Sequence, residues 1–201
     1  MLEINVLEYI RGIEMNLVKV KGEKVTLRQV EKEDLPVLWE MRYGNPNPEW
    51  KKWDAPYFTL KYIDKETYLK KAEHQLAMQH HPLDHMIIEA DGQIIGSVIF
   101  YWESEATRWL EMGIVIYLPE YWGDGYGTEA MKHWIDYLFE TIPYIERVGY
   151  TTWSGNQRMI KVGQKLGMTL EARMRKCRYY NGFYYDSIRM GLLREEWEQE
   201  K

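Results

Sequence analysis

Three alternating glycines give the clearest chemical signal in the sequence. Gly123, Gly125 and Gly127 follow an apolar, strand-like run and precede a helix-like one. Glycine lets the backbone approach a ligand closely, and the first N–H groups and the dipole of a helix attract an anion. The segment therefore predicts a binding loop for an anion such as a pyrophosphate. The alternative is a flexible strand-to-helix turn that binds nothing.

Two nucleotide motifs compete for this segment. Residues 125–130 match the G-x-G-x-x-A dinucleotide pattern. In a dinucleotide fold, however, the first strand adjoins the first glycine, whereas residues 118–122 intervene here and hairpins flank the unit. A Walker loop is excluded, because no Gly-Lys-Ser/Thr stands at the required spacing. A dinucleotide-dependent oxidoreductase would require binding of NAD(P), and this motif match alone is weak support for it.

Glu111 is a second candidate for chemistry, since it stands within an otherwise apolar strand-like run. Burying an unpaired carboxylate is costly, so a function or an ion pair has to explain it. The sequence leaves three roles open: a general base, the partner of an Arg or Lys on a neighbouring strand, or a side chain that points to solvent. Glu103 and Glu105, in the preceding turn, are rival bases.

Cysteine and histidine give weaker signals. Cys177 is the only cysteine, which excludes an internal disulfide and a multi-cysteine zinc site. A lone strand cysteine is more often a small hydrophobic residue than a nucleophile. We predict no metal site, because four clustered histidines lack the spacing of zinc ligands: His74, His80, His81 and His85.

The fold that must position these residues is predicted to be mixed α/β, an α+β arrangement around a mixed sheet. Hydrophobic periodicity and turn residues predict the order β-α-α-β-β-β-α-β-α-β-β. The predicted strands cover residues 24–28, 86–90, 94–101, 109–117, 148–153, 171–179 and 184–192. The predicted helices cover residues 33–42, 64–78, the segment after the glycine loop and the segment from 156 to 167.

Caps and turns mark the ends of these elements. The predicted caps and hairpin turns are Asp64, Asn156, Gly167, Asp91-Gly92 and Asn181-Gly182. Met131, Trp134, Ile135 and Leu138 form the predicted buried stripe of the third helix. A substrate-sized cleft is expected where strand pairing changes from antiparallel to parallel.

Composition bounds the class of protein. The chain has 201 residues, 45% of them hydrophobic and 28% charged, which is typical of one globular domain; we assign it residues 16–201. A formal net charge of −5 with dispersed basic residues argues against nucleic-acid binding and weakly favours a cationic substrate. No apolar run approaches the ~18 residues of a membrane span, so we expect no membrane association. The single cysteine makes a reducing cytoplasm the simplest location.

Residues 1–15 stand apart as a short N-terminal extension. Apolar residues at helical spacing suggest a short helix, and a strand-like run follows Met15. Either this extension packs on the domain or Met15 is the natural start. Glu3 and Glu8 occupy the place of a basic n-region, so we expect no signal peptide.

Residues 121–130, Tyr-Trp-Gly-Asp-Gly-Tyr-Gly-Thr-Glu-Ala, resemble the acetyl-CoA motif of the GNAT superfamily, Q/R-x-x-G-x-G/A. Residues 22–28, 156–168 and 185–197 resemble the subgroup of ribosomal-protein N-terminal acetyltransferases. The similarity covers about residues 16–198. It implies the GNAT-like acyl-CoA N-acyltransferase fold, with acetyl-CoA as cofactor.

The resemblance also implies roles for single residues. It implies two catalytic residues. Glu111 would be the general base, and Asn156 would form a hydrogen bond with the cofactor or with a water. The implied cofactor-binding residues are Ile114, Val115, Ile116, Trp122, Gly123, Asp124, Gly125, Tyr126, Gly127, Thr128 and Asn156. Aromatic residues of the loop 43–63 would shape an amine pocket or only pack the loop down: Trp50, Trp53, Tyr57 and Phe58.

Two positions depart from the family pattern. Trp122 stands where the motif prefers Gln or Arg, so a side-chain contact to the cofactor is lost while backbone contacts remain. Gly163 stands where many members carry a tyrosine that protonates the leaving thiolate. Another group or water must then supply that proton.

The function that the resemblance implies is transfer of acetyl from acetyl-CoA to a primary amine by direct attack in a ternary complex. The acceptor is a protein N-terminus or a small molecule such as a polyamine or aminoglycoside. The alternative is a CoA-binding regulatory or structural module without turnover, which the absent tyrosine motivates. A homodimer and other oligomeric states are left open.

Overall fold

A computed structural model describes residues 18–79 and 81–199. The predictions for residues 1–15, including the choice between Met1 and Met15, lie outside the described residues.

The described residues contain eight strands. They are β1 (Lys19–Lys21), β2 (Thr26–Gln29), β3 (His85–Ala90), β4 (Gln93–Ser104), β5 (Trp109–Ile116), β6 (Arg147–Trp153), β7 (Thr169–Tyr180) and β8 (Phe183–Leu193). All form one sheet in the order β1-β2-β3-β4-β5-β6-β8-β7. Neighbouring strands are antiparallel except for β5 and β6, which are parallel.

Five α-helices lie in the same part of the chain. They are α1 (Leu35–Trp39), α2 (Lys65–Ala77), α3 (Tyr126–Thr141), α4 (Gln157–Lys165) and α5 (Arg194–Gln199). A π-helical turn, Glu40–Gly44, extends α1, and 3₁₀ turns occur at Lys32–Asp34, Glu49–Lys52 and Pro119–Tyr121.

Helices cover both faces of the sheet because adjacent strand residues point to opposite sides. Ile88 packs in the larger core with α3 and α4, whereas its neighbour Ile87 packs with Leu35, Leu38 and Ala72 of α1 and α2. The predicted stripe of α3 is fully buried in the larger core: Met131, Trp134, Ile135 and Leu138.

The predicted caps and turns are confirmed. Asp64 and Asn156 accept hydrogen bonds from the backbone N–H groups of Thr67 and Met159. Both residues of each predicted hairpin turn have positive φ, from 49° to 83°, as a type I′ turn requires. Gly167 ends α4 with φ of 72°.

The predicted order of elements is confirmed, and the structure adds one element at each end. β1 is only three residues long and pairs with β2 alone, so its sequence carries almost no periodicity. The second addition, α5, is held by Arg194, whose guanidinium donates to the carbonyls of Phe139 and Ile142, and by Trp197, which donates to Asp136. These are long-range contacts that a local pattern does not contain.

Candidate active site

The cleft expected at the change of strand direction is present between β5 and β6. The two strands pair only at Leu110 with Val148 and at Glu111 with Gly149 among the described residues. Beyond this point they diverge, and a cavity of about 390 Å³ is lined by residues of both strands. Because β5 lacks a partner strand on this side, its backbone groups there are available to an extended ligand, except for the Ile116 carbonyl, which accepts from the indole of Trp122.

The glycine loop forms the mouth of this cavity. Gly123 and Gly125 have φ of 99° and 92°, and a Cβ on either would meet no atom within 4 Å. Gly125 is the N-cap of α3, so the first N–H groups of this helix lack intrahelical acceptors and face the loop. Open space, free backbone donors and the positive end of the helix dipole together fit an anion.

Lys24 braces the loop from the neighbouring strand end. Its Nζ donates to the carbonyl of Asp124 at 2.7 Å and lies 5.4 Å from the ring of Tyr126. The Tyr126 ring packs edge-on against Tyr121. Neither Asp124 nor Tyr126 lines the cavity, so these two predicted cofactor residues support the loop, whereas the other predicted ones line the cavity.

Sequence reasoning missed a row of cations on α4. Arg158, Lys161 and Lys165 line the same cavity as the glycine loop. Their spacing of three and four residues places them on one face of the helix, and this spacing was the available signal. The cavity therefore combines backbone donors with three cationic side chains, an arrangement that fits a ligand with several phosphate groups.

Asn156 lies at the cavity wall with both ends of its amide occupied. Its Oδ1 accepts from the N–H of Met159 at 3.1 Å, and its Nδ2 donates to the carbonyl of Trp53 at 3.0 Å. The residue therefore caps α4 and ties this helix to the loop between α1 and α2.

The structure does not bring Glu111 into the cavity. Its side chain is 1% exposed, and Oε1 accepts from Arg147 at 3.0 Å and from the indole N–H of Trp109 at 2.9 Å. Arg147, on β6, also pairs with Glu171 on β7. Glu111 is thus the partner of an arginine on a neighbouring strand, one of the three roles that the sequence left open. Glu103 pairs with Arg189.

A second cavity, of about 1240 Å³, lies on the α1 and α2 side of the sheet. It shares five wall residues with the first: Trp50, Asp54, Gly113, Ile114 and Val115. His85 and Tyr117 are part of its lining. Burial lowers the pKa of His85 and raises the pKa of Tyr117, so both side chains are uncharged near neutral pH. The two cavities thus share part of their wall at the middle of β5.

The aromatic loop both packs down and lines these cavities. Trp50 donates its indole N–H to the carbonyl of Met41 and packs edge-on against Tyr117. Trp53 and Tyr57 line the first cavity, and Tyr57 packs against Trp153. Phe58 is 62% exposed and lines neither cavity, so it is not placed to shape an amine pocket.

Cys177 and the histidines of the described residues belong to no metal-binding group. Cys177 is exposed and lines neither cavity. Within residues 18–79 and 81–199, no group of three His, Cys, Asp or Glu side chains is arranged to hold a metal ion. No helix in these ranges is both long and apolar enough to cross a membrane.

Tyr150 explains the glycine at position 163. A Cβ on Gly163 would overlap the hydroxyl of Tyr150, which is 2% exposed and donates to the carbonyl of Met159 at 2.8 Å. A tyrosine at 163 therefore has no room here. Burial raises the pKa of Tyr150, so its hydroxyl stays protonated.

We expect Gly163→Ala to lower the free energy of unfolding by about 1–3 kcal/mol, because the added methyl overpacks the core. The loss should be smaller when Tyr150→Phe is combined with it, since the hydroxyl that blocks the methyl is then absent. Urea denaturation of the four proteins of this double-mutant cycle measures both effects. Equal losses in the two backgrounds would show that the hydroxyl is not the obstacle.

Comparison with known proteins agrees with this geometry. The family described as "Acetyltransferase (GNAT) domain" matches residues 24–169. A protein of Bacillus subtilis described as the putative ribosomal N-acetyltransferase YdaF is 29% identical over 90% of this chain and 97% of its own length. Spermidine N(1)-acetyltransferase of Escherichia coli K12 is 27% identical over 88% of this chain and 89% of its own.

A solved structure has the same fold. Spermidine N-acetyltransferase from Vibrio cholerae, in complex with CoA and spermine, superposes with a TM-score of 0.69 at 20% identity, over 88% of this chain and 99% of that chain. The family match spans more than half of the chain, and the anion cradle on a diverging β5–β6 pair is where the fold would receive a nucleotide. The chain belongs to the GNAT acetyltransferase family and is an acetyl-CoA-dependent N-acetyltransferase.

Proposed function

We propose that this enzyme acetylates a primary amine by direct attack within a ternary complex. The observation that carries the proposal is a pair of cavities that share Gly113, Ile114 and Val115 of β5 as wall residues. One cavity has the anion cradle and the cations that suit acetyl-CoA. The other opens on the opposite helical layer and gives an amine a separate route to the same point of the strand. No acetylated enzyme intermediate is then required.

Acetyl-CoA supplies an acetyl thioester to this site. We assign its pyrophosphate to the glycine loop with Gly123, Gly125 and Gly127, and its extended arm to the free side of β5 from Ile114 to Ile116. A backbone N–H of β5 is then placed to donate to the thioester carbonyl, where negative charge develops during attack. Asn156 holds the start of α4 against this arm.

The attacking amine must be neutral, whereas an alkyl ammonium has a pKa of about 10. We therefore look for a proton acceptor at the junction of the cavities and not at Glu111. Asp54 borders both cavities, and its carboxylate is 62% exposed beside Lys51. We propose Asp54 as the group that takes the proton from the amine, directly or through a water.

The charge of the second cavity favours a peptide N-terminus over a polyamine. Three cations of its lining, Arg42, Lys61 and Lys71, form no ion pair with another described residue, and they outnumber the two unpaired acids, Asp84 and Glu105. The remaining acid, Asp54, pairs with Lys51. A polyamine would bring several positive charges against these three cations, which is unfavourable. The names of the similar proteins include both acceptor classes, ribosomal proteins and spermidine. The charge of the second cavity leads us to propose a peptide N-terminus as the acceptor.

We expect kcat/KM for a peptide with a free N-terminus to exceed that for spermidine by about tenfold, equivalent to about 1.4 kcal/mol, because spermidine brings more positive charge to the cations of the cavity. The measurement is acceptor-dependent release of CoA thiol with matched peptides and polyamines. Initial rates at varied concentrations of both substrates should give intersecting lines, as a ternary complex requires.

A charge variant provides the control. Arg42→Gln should lower the ratio of kcat/KM for the peptide to kcat/KM for spermidine. Lys32→Gln should leave this ratio unchanged, because Lys32 pairs with Glu73 outside the cavity lining. Parallel initial-rate lines would exclude the ternary complex. Binding of acetyl-CoA with no release on any amine would instead favour a CoA-binding module without turnover.

A further inference from the structure

The side chain of Arg158 contacts two indole rings at the wall of the cofactor cavity. Its Cζ lies 4.3 Å from the ring centroid of Trp53 and 4.6 Å from that of Trp122. The two rings are 6.4 Å apart and nearly perpendicular, at 82°. Trp122 directly precedes Gly123, so the guanidinium lies beside the glycine loop.

The ring of Trp122 and the backbone of Trp53 are held by hydrogen bonds that do not involve Arg158. The indole N–H of Trp122 donates to the carbonyl of Ile116 at 3.0 Å, across the end of β5. The backbone at Trp53 accepts from the indole of Trp153 at 2.9 Å and from Asn156 at 3.0 Å. The position of the guanidinium is therefore set in advance by the surrounding structure.

The N–H groups of this guanidinium are unused within the protein. In residues 18–79 and 81–199, Arg158 forms no ion pair and no side-chain hydrogen bond, and the carboxylate of nearby Glu49 is bonded to Lys52. The cation lies against both rings, and its N–H donors have no partner among the described residues. A planar fork of free donors matches the oxygen atoms of a phosphate group.

The residue at position 122 indicates why a cation from α4 is needed here. The family motif prefers Gln or Arg there, and in this chain an indole takes the place of that donor. We propose that Arg158 is the phosphate-binding cation of this enzyme, supplied by α4 in place of the motif residue, and that it pairs with the pyrophosphate of acetyl-CoA. The inference rests on the proposed function in that the pyrophosphate occupies the glycine loop.

The pyrophosphate is favoured over the 3′-phosphate of CoA by position. Arg158 contacts the ring of the residue next to Gly123, whereas Lys161 and Lys165 lie one and two turns further along α4. These lysines also line the cavity and suit a phosphate that is more distant from the loop.

The test is the dissociation constant of CoA and of 3′-dephospho-CoA, measured by titration calorimetry for the wild type and for Arg158→Gln. We expect about a ten- to hundredfold loss of affinity for both ligands, because a charge-assisted hydrogen-bond pair is lost. The salt dependence of binding should also decrease, since one phosphate contact is removed. A purely structural role of Arg158 would not change that salt dependence.

Two further variants complete the test. Arg178→Gln removes an arginine that also stacks on an aromatic ring of the loop, Tyr57, but that does not line the cavity; CoA affinity should not change. Trp122→Arg in the Arg158→Gln background restores the motif residue and should recover affinity. Circular dichroism melting confirms that the variants are folded.

The outcomes separate the possible failures. Unchanged affinity of Arg158→Gln for both ligands overturns the role of Arg158. A loss for CoA that is absent for 3′-dephospho-CoA overturns the assignment to the pyrophosphate. If the wild-type protein binds neither ligand, the fault lies in the proposed function and not in Arg158.

Discussion

Replacing Gly125 with valine is expected to abolish acetyl-CoA binding, with a dissociation constant raised at least about a hundredfold. Gly125 has φ of 92°, a conformation that a β-branched residue does not adopt without strain. The backbone must therefore turn, which re-aims the donors at the start of α3. Losing two charge-assisted hydrogen bonds to the pyrophosphate is sufficient for the predicted effect. Calorimetric titration with acetyl-CoA measures it.

The control for strain is Gly92→Val. Gly92 has φ of 74° in the turn between β3 and β4, and its Cβ position is equally open. This variant should lose comparable stability, about 1–2 kcal/mol for a left-handed non-glycine residue, but should bind acetyl-CoA as the wild type does. α3 remains buried in both variants, so both should fold. Unchanged affinity in Gly125→Val would place the pyrophosphate elsewhere.

The glycine loop could be predicted from sequence because all of its determinants are local. Alternating glycines, the preceding apolar strand and the following amphipathic helix lie within residues 109–141, and the structure places them as the pattern requires. The hairpin turns and helix caps were predictable for the same reason. Their conformations depend on one or two residues and not on distant partners.

Glu111 shows where sequence reasoning is limited. A carboxylate in an apolar strand indicates either chemistry or an ion pair, and the choice depends on Arg147, which is 36 residues away. The glycine at position 163 is a similar case, because the Tyr150 hydroxyl that excludes a larger residue there lies on another element. The shared wall of the two cavities also depends on how strands diverge. None of these contacts can be predicted from the hydrophobic periodicity of a single segment.

The ion pair of Glu111 leads to the second large expected effect. Arg147→Met should lower the free energy of unfolding by about 3–5 kcal/mol, because it leaves the buried carboxylate of Glu111 without its cation. Glu171, with a third of its side chain exposed, can turn to solvent and adds less. Urea denaturation measures the loss. Lys70→Met, which breaks an exposed pair with Glu66, should change stability by less than about 1 kcal/mol.

The double variant Arg147→Met/Glu111→Leu separates stability from catalysis. It removes both buried charges, so most of the lost stability should return. The indole N–H of Trp109 loses its acceptor, but this side chain is 38% exposed and can bond water. If Glu111 serves only the ion pair, the double variant keeps kcat at every pH, whereas Asp54→Asn lowers kcat most at low pH, where neutral amine is scarce. A fall in kcat at low pH in the double variant would return the role of base to Glu111. The stability of Arg147→Met and the pH profile of the double variant thus decide independently what this carboxylate does.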